Sequence, residues 1–239
     1  MNEGNLEIIY EDRDIIAVNK PAGMMVHGVA GKISKEPTLA DILVEKYPEM
    51  RTVGDEPMLR PGIVHRLDKD TSGVMVVARN QRSFEYLKSL FKERDMRKTY
   101  VAIVSGVPKP DRGVIDRPIG IQNGTTKRSV RSVKMAKPAI TEYEVVKTAL
   151  AEDGSGGERQ FTFLSVHPKT GRTHQIRVHL ASIGHPIVGD ALYGPKKQPP
   201  WAQRLMLHAA SLEFSDGAGG RLRFDAVVPR EFETIFSAD

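Results

Sequence analysis

The 239-residue chain has no cysteine, which excludes disulfides and thiolate metal sites. It has no apolar run near the ~20 residues needed to span a bilayer. Its first residues, "MNEGNLEIIYEDRD", are acidic and lack the charged-then-apolar plan of a secretory signal. The expected setting is therefore the cytoplasm, with no membrane partner. There is no internal repeat and no low-complexity segment. There is also no phosphate-binding P-loop or Rossmann glycine pattern, because "GVAGK" lacks the full spacing and the following helix.

What remains is ordinary for a folded domain: 40% apolar and 27% charged residues. The length suits one large domain, expected over residues 1–239 as a single unit or as two intimately packed halves. The net charge is +5 and the pI about 9.3, a basic excess compatible with nucleic acid. The segment "TTKRSVRSVKMAK" carries Lys127, Arg128, Arg131, Lys134 and Lys137 with no acid among them. An isolated basic run is ordinarily a solvated loop. This one lies between two strand-like segments with Gly124 at its start, so a loop projecting from a sheet could clamp phosphates.

Periodicity organises the rest. "LEIIYEDRDIIAVNKPAGMMVH" reads as short strands broken by "EDRD" and "KPAG". "TLADILVEKY" reads as a helix capped by Thr38. "QRSFEYLKSLFKER" is the clearest helix, with Phe84, Leu87 and Phe91 on one face. "KTYVAIVSG", "AITEYEVVKTA", "RQFTFLSVH", "RLMLHAASLEF" and "RLRFDAVV" read as strands, and "THQIRVHLASIG" as a helix stopped by Gly184. Strands dominate without regular β–α alternation. The expected class is α+β, with a large mixed, mostly antiparallel sheet flanked by helices and loops.

Chemistry concentrates in three places. In "GIVHRLDKDTSGVMVVARN" an apolar strand, Val74 to Ala78, is preceded by His65, Arg66, Asp68, Lys69 and Asp70. A lone acid before a strand is usually a turn residue. Here Asp70 is already available for that purpose, and His65 and Arg66 would keep a partly buried Asp68 carboxylate ionised. In "KTGRTHQIRVHLASIGHP", Thr173, His174 and Arg177 share one side of the proposed helix, apart from the Ile176, Leu180 and Ile183 stripe. That side is either an exposed polar face, an anion site, or a place where Arg177 pairs with a distant carboxylate. Tyr100 opens a strand, where tyrosines usually pack. The histidines show no H-E-x-x-H spacing, and His174 and His179 face different ways on a helix, so no metal is expected.

The motif "HRLDKDTSG" resembles the hallmark of the RluA family of RNA pseudouridine synthases. "VNKPAGMMVH", "RKTYVAIVSG", "KPAITEYEVV", "HPKTGRTHQIRVHLASIGHPIVGDALYG" and "LMLHAASLEF" are similar, in the same order, to further segments of that family. The resemblance runs from about Ile8 to Pro229. Many larger members carry an additional N-terminal RNA-binding domain, and here the motifs start almost at Met1, so RNA selection is expected within the catalytic domain. Loops such as Ser34 to Pro57 and Lys127 to Lys137 are the expected selective contacts.

The resemblance implies a cofactor-free isomerisation of uridine to pseudouridine in ribosomal RNA or tRNA; a monomer is expected, because flipping one base needs no symmetry. It implies that Asp68 is the catalytic aspartate, that Tyr100 stacks on the flipped base, and that Arg177 pairs with the aspartate. Leu207 would line the base pocket and Arg66 would fill the space the base vacates. Lys127, Arg128 and Arg131 are the RNA-binding candidates of the basic loop. Two other readings compete. One is an inactive RNA-binding or assembly factor with the same fold, which predicts loss of Asp68, Tyr100 or Arg177. The other is a nucleoside or glycoside hydrolase, which needs two cooperating carboxylates; only Asp70 is close, and its position sends it to the opposite side.

Overall fold

The computed structural model describes residues 6–28, 36–122, 125 and 127–236. The first five residues of the acidic start, most of "GVAGK", Ser34, Gly124 and Thr126 lie outside the described residues. Among the described residues eleven strands and three α-helices follow in chain order: β1 (Glu7–Glu11), β2 (Ile15–Lys20), α1 (Leu39–Lys46), β3 (Ser72–Ala78), α2 (Gln81–Glu93), β4 (Arg97–Ser105), β5 (Arg112–Asp116), β6 (Gly120–Ile121), β7 (Arg128–Ser129), β8 (Ile140–Glu152), β9 (Glu158–Pro168), α3 (Gln175–Ser182), β10 (Leu207–Ser215) and β11 (Arg221–Asp225). Short 3-10 helices cover Pro48–Thr52 and Arg230–Phe232. The pairings β1–β2, β2–β3, β4–β9, β8–β9, β5–β8 and β10–β11 are all antiparallel. The chain therefore has the expected α+β class with a mostly antiparallel sheet.

The chain divides into two compact units, with boundaries at Arg97/Lys98, His208/Ala209 and Val227/Val228. In the first unit β1, β2, β3 and β10 are successive neighbours, and β11 pairs with β10. Register places Ile16 opposite Val77 and Ala17 opposite Val76. All seven residues of β3 are buried, which is why that strand reads as an unbroken apolar run rather than an alternating one. Helix α2 buries Phe84, Leu87 and Leu90. Its Asn80 cap accepts the Ser83 N–H at 2.9 Å. Phe91, expected on the same face, is only half-buried and stacks on His65 instead. Thr38 caps α1 as expected, in a reciprocal arrangement with Asp41. Much of the segment from Ser34 to Pro57, expected as a selective loop, is helical: α1 and the 3-10 turn occupy it.

In the second unit the strand order is β4, β9, β8, β5, and β6 and β7 form a separate two-stranded ribbon. Helix α3 departs from expectation. It begins at Gln175, so Thr173 and His174 precede it, and His174 sits at φ 56°, in the left-handed region. The reason is local and polar. The Gln175 side chain accepts from Thr170 Oγ1 (2.7 Å) and the Arg172 N–H (3.0 Å) and donates to the Ile140 carbonyl (2.9 Å). These bonds hold residues 170–174 in a turn. The helix has no exposed polar face over its first six residues, since Gln175 through Leu180 are all buried. His179 is satisfied there by Thr141 Oγ1 and the Arg117 carbonyl, both at 2.9 Å. Burial pushes the His179 pKa down, as expected of a neutral structural imidazole.

Candidate active site

The Asp68 segment belongs to the first unit. Ile63 and Leu67 are buried, Arg66 is exposed and Asp68 is half-buried. His65 anchors the segment to the sheet and the helix. Its Nε2 accepts the Val76 N–H at 3.1 Å, and its ring lies 4.6 Å from that of Phe91. The Thr71 N–H donates to the Asp68 carbonyl at 3.2 Å, closing the turn. Gly73 then enters β3 at φ +119°, where a Cβ would lie 2.2 Å from the Ala209 carbonyl oxygen. Only glycine permits that approach.

Lys20 secures the other side of the loop. It is fully buried, and its ammonium donates to the carbonyls of Pro21 (2.8 Å), Met24 (2.9 Å) and Lys69 (3.0 Å). The Gly23 N–H meets the same Lys69 carbonyl at 2.9 Å. The peptide after Asp68 is thus held by a cation and an amide together. Arg66 Nη1 lies 3.2 Å from His27 Nε2, while His27 Nδ1 faces the Gly28 carbonyl at 2.7 Å. Burial first, then the Arg66 and Arg60 charges, hold the His27 pKa below its ordinary value despite that carbonyl. A neutral His27 with its proton on Nδ1 leaves Nε2 to accept from the guanidinium. Lys69 and Asp70 are exposed.

Arg177, Tyr100, Leu207 and the basic loop belong to the second unit. Arg177 is 7% exposed and Asp190 1%. Arg177 Nε donates to Asp190 Oδ2 at 2.8 Å and Nη2 to Oδ1 at 2.9 Å, a two-point fork that fixes the guanidinium plane. Asp190 Oδ1 also accepts the N–H groups of Leu192 (2.9 Å) and Tyr193 (3.0 Å). Burial pushes the Asp190 carboxyl up, but the Arg177 bonds and charge and the two amides outweigh it, and its pKa falls below the ordinary range. The Tyr193 ring centroid lies 5.3 Å from the guanidinium carbon.

The basic loop meets this turn. Lys127 Nζ donates to the Leu192 carbonyl at 3.2 Å, and the Arg128 N–H donates to Tyr193 Oη at 2.9 Å. Arg131, Lys134 and Lys137 are exposed. Tyr100 is half-buried in β4, opposite Val166 of β9. Lys98, two residues earlier on the same strand and so on the same face, has its pKa lowered by burial to about 8. Leu207 is 3% exposed at the start of β10, next to Met206, whose carbonyl accepts the Ile103 N–H.

Within its own unit each group of predicted residues is supported by residues that sequence reasoning passed over: Lys20 and His27 in the first, Asp190 and Tyr193 in the second. Lys20 carried a signal, since it ends the apolar strand "IIAVNK" directly before a proline. Asp190 and Tyr193 carried only the "GDALYG" turn pattern. Among the described residues no group of three or more His, Asp or Glu side chains could hold a metal ion.

Comparison with known proteins agrees over most of the chain. The family described as RNA pseudouridylate synthase matches residues 14–182. An uncharacterized RNA pseudouridine synthase of Chloroflexus aurantiacus is 41% identical over 218 residues, covering 91% of this chain and 64% of that protein. The ribosomal large subunit pseudouridine synthase D of Haemophilus ducreyi is 37% identical over 247 residues, covering 98% of this chain and 70% of that one. The chain thus spans about two thirds of the length of these curated relatives. The solved structure of human RNA pseudouridylate synthase domain containing 1 superposes with a TM-score of 0.74 at 28% identity, covering 95% of this chain and 86% of that one. With its motifs, fold and relatives in agreement, the chain belongs to the RluA family of RNA pseudouridine synthases.

Proposed function

We propose that this protein isomerises uridine in structured RNA to pseudouridine, with Asp68 as the reacting carboxylate. The observation that carries the proposal is the setting of Asp68 in "HRLDKDTSG". The peptide after it is clamped by Lys20 and Gly23, and the turn after it is closed by Thr71. An exposed solubilising acid needs no such fixation; a reacting group does.

The target uridine leaves its stack at a cost of a few kcal/mol. Arg66, exposed and oriented by His27, is a planar cation suited to occupy the vacated space and meet phosphate oxygens. Tyr100 offers a flat face to the extruded uracil, worth about 1–3 kcal/mol in base–aromatic stacking. Leu207 supplies an apolar wall. Asp68 assists cleavage of the N1–C1′ bond, by attack or by stabilising the developing charge. The uracil turns and C5 bonds to C1′; the C5 hydrogen leaves as a proton and N1 gains one, so the product is an isomer. Arg177 is the basic residue that the resemblance assigns to the aspartate as counter-charge; within its own unit its Nε and Nη2 are held by Asp190.

The basic loop supplies phosphate contacts through Arg131 and its neighbours. Lys127 and Arg128 have the additional structural bonds described above. The substrate class is ribosomal RNA or tRNA, with large-subunit ribosomal RNA favoured by the name of the Haemophilus relative. The protein is read as a cytoplasmic monomer, because flipping one base requires no symmetry.

The test is tritium release from RNA carrying C5-tritiated uridine. The wild-type protein releases tritium, and Asp68→Asn releases none while still retaining RNA on a filter. Substantial turnover by Asp68→Asn would overturn the assignment. Tyr100→Phe keeps stacking and slows product formation; a full wild-type rate would remove any role for the hydroxyl.

A further inference from the structure

We infer that Tyr193, seated by Asp190, is a positioning residue that couples the basic loop to Arg177. The inference rests on the pseudouridine synthase reading, and names how RNA on the loop reaches a residue of the site.

Five contacts of the second unit carry it. The Tyr193 ring faces the Arg177 guanidinium at 5.3 Å, close enough for cation–π attraction. Tyr193 Oη accepts the Arg128 N–H of β7 at 2.9 Å and lies 2.9 Å from His174 Nδ1. A hydroxyl has one proton to give. With two lone pairs and one proton, Oη accepts from Arg128 and pairs with Nδ1 in the direction that the imidazole tautomer sets. Tyr193 is thereby bonded to β7 on one side and to the residue before α3 on the other. The same ring packs with Val130 of the basic loop on a small buried cluster of Ile119, Ala139 and Val178, and Val178 adjoins Arg177 in the chain. Finally, Lys127 Nζ ties the loop to the Leu192 carbonyl, one residue before Tyr193.

The turn cannot yield independently of Arg177. Asp190 accepts both the Arg177 fork and the N–H groups of Leu192 and Tyr193, so one carboxylate indexes guanidinium and turn together. A phosphate that draws the Lys127 ammonium from Leu192 acts on this turn directly, and a shift of β7 moves the Tyr193 hydroxyl with it. RNA seated on the loop therefore biases the orientation of Arg177. Arg177 is read as part of the site; Tyr193 and Asp190 act through it.

The experiment uses the full-length protein and RNA transcribed with C5-tritiated uridine from ribosomal RNA and tRNA genes. Single-turnover tritium release gives a maximal rate and a half-saturating RNA concentration for wild type, Tyr193→Phe, Lys127→Met and the double variant. Tyr193→Phe keeps the ring and deletes the hydroxyl. It lowers the maximal rate about tenfold and changes half-saturation less than about threefold, the pattern of lost alignment rather than lost binding. Lys127→Met alters the maximal rate in the wild-type background and no longer does so in Tyr193→Phe, the non-additivity expected of one coupled unit.

A merely structural Tyr193 would lower the melting temperature and leave the maximal rate of the folded variant unchanged, which would overturn the inference. Equal effects of Lys127→Met in both backgrounds would overturn it as well. Either result with an active wild type and an inactive Asp68→Asn leaves the pseudouridine synthase reading standing. A wild-type protein that releases no tritium removes that reading and the coupling together.

Discussion

The ammonium group of Lys20, fully buried, lies 3.0 Å from the carbonyl oxygen of Lys69, the residue that follows Asp68. A cation is a strong hydrogen-bond donor in a dry site, and the three carbonyls it meets would be costly to leave unpaired. Lys20→Met keeps the length and removes the charge. It should lower unfolding stability by about 2–4 kcal/mol, read as a lower urea midpoint with an unchanged slope. It should also reduce tritium release at temperatures where the variant is folded. An unchanged midpoint would show that the clamp contributes nothing.

Asp190 gives a pH signature. Its folded carboxyl titrates below the ordinary 3.8, so the folded state binds its proton less readily than the unfolded chain. The stabilisation is complete above the ordinary value and is lost as pH falls through the lower folded value. Asp190→Asn should therefore cost about 3 kcal/mol near neutrality, because it removes the carboxylate charge that accepts the fork of the buried Arg177. The gap between wild type and variant should narrow as pH is taken below about 4. A gap independent of pH would contradict the ionised pair.

Lys98 contributes a cost rather than a gain, with the same rise of stability with pH. Its folded pKa of about 8 lies below the ordinary 10.5, so below pH 8 the folded state carries the full cost of a desolvated ammonium. From about pH 8 to 10.5 the unfolded chain binds more protons, and stability contributed by this group rises with pH. Lys98→Met should stabilise the protein by about 1–2 kcal/mol at neutral pH, allowing for partial solvent access. The difference should shrink over that alkaline window. Thermal melts at pH 7, 9 and 10 would check it.

Gly73 is a backbone requirement. An alanine there would adopt φ +119° with its Cβ 2.2 Å from the Ala209 carbonyl. The expected loss is about 3 kcal/mol or more, seen as a lower melting temperature. A wild-type melting temperature would contradict the close approach of β10 to this turn.

Much of the fold was legible locally. Thr38 announced α1 because a capping side chain and its partner Asp41 lie three residues apart. The Phe84, Leu87 and Phe91 spacing announced α2 because helical spacing is itself a sequence pattern, although the structure buries Leu90 more fully than Phe91. β3 was legible as an apolar run, and Asp68, Arg66 and Arg177 stood out as ionisable groups in motifs. The start of α3 was not legible. Gln175 ends the preceding turn through Ile140 and Thr141, 35 and 34 residues away in the chain, and no local pattern encodes that bond.

Composition, periodicity and ordered motifs determined by themselves the α+β class, the succession of the longer strands and the helices but not β5, β6 and β7, and the residues named for chemistry. Only the tertiary structure decided which charges are buried and what they hold. Lys20 looks like any surface lysine until it meets a carbonyl 49 residues away. Asp190 looks like a turn acid until Arg177, 13 residues earlier, closes on it. Burial converts such charges from solvated surface groups into fixed partners, because in a site that water has left an ion must be paired with whatever the fold brings to it.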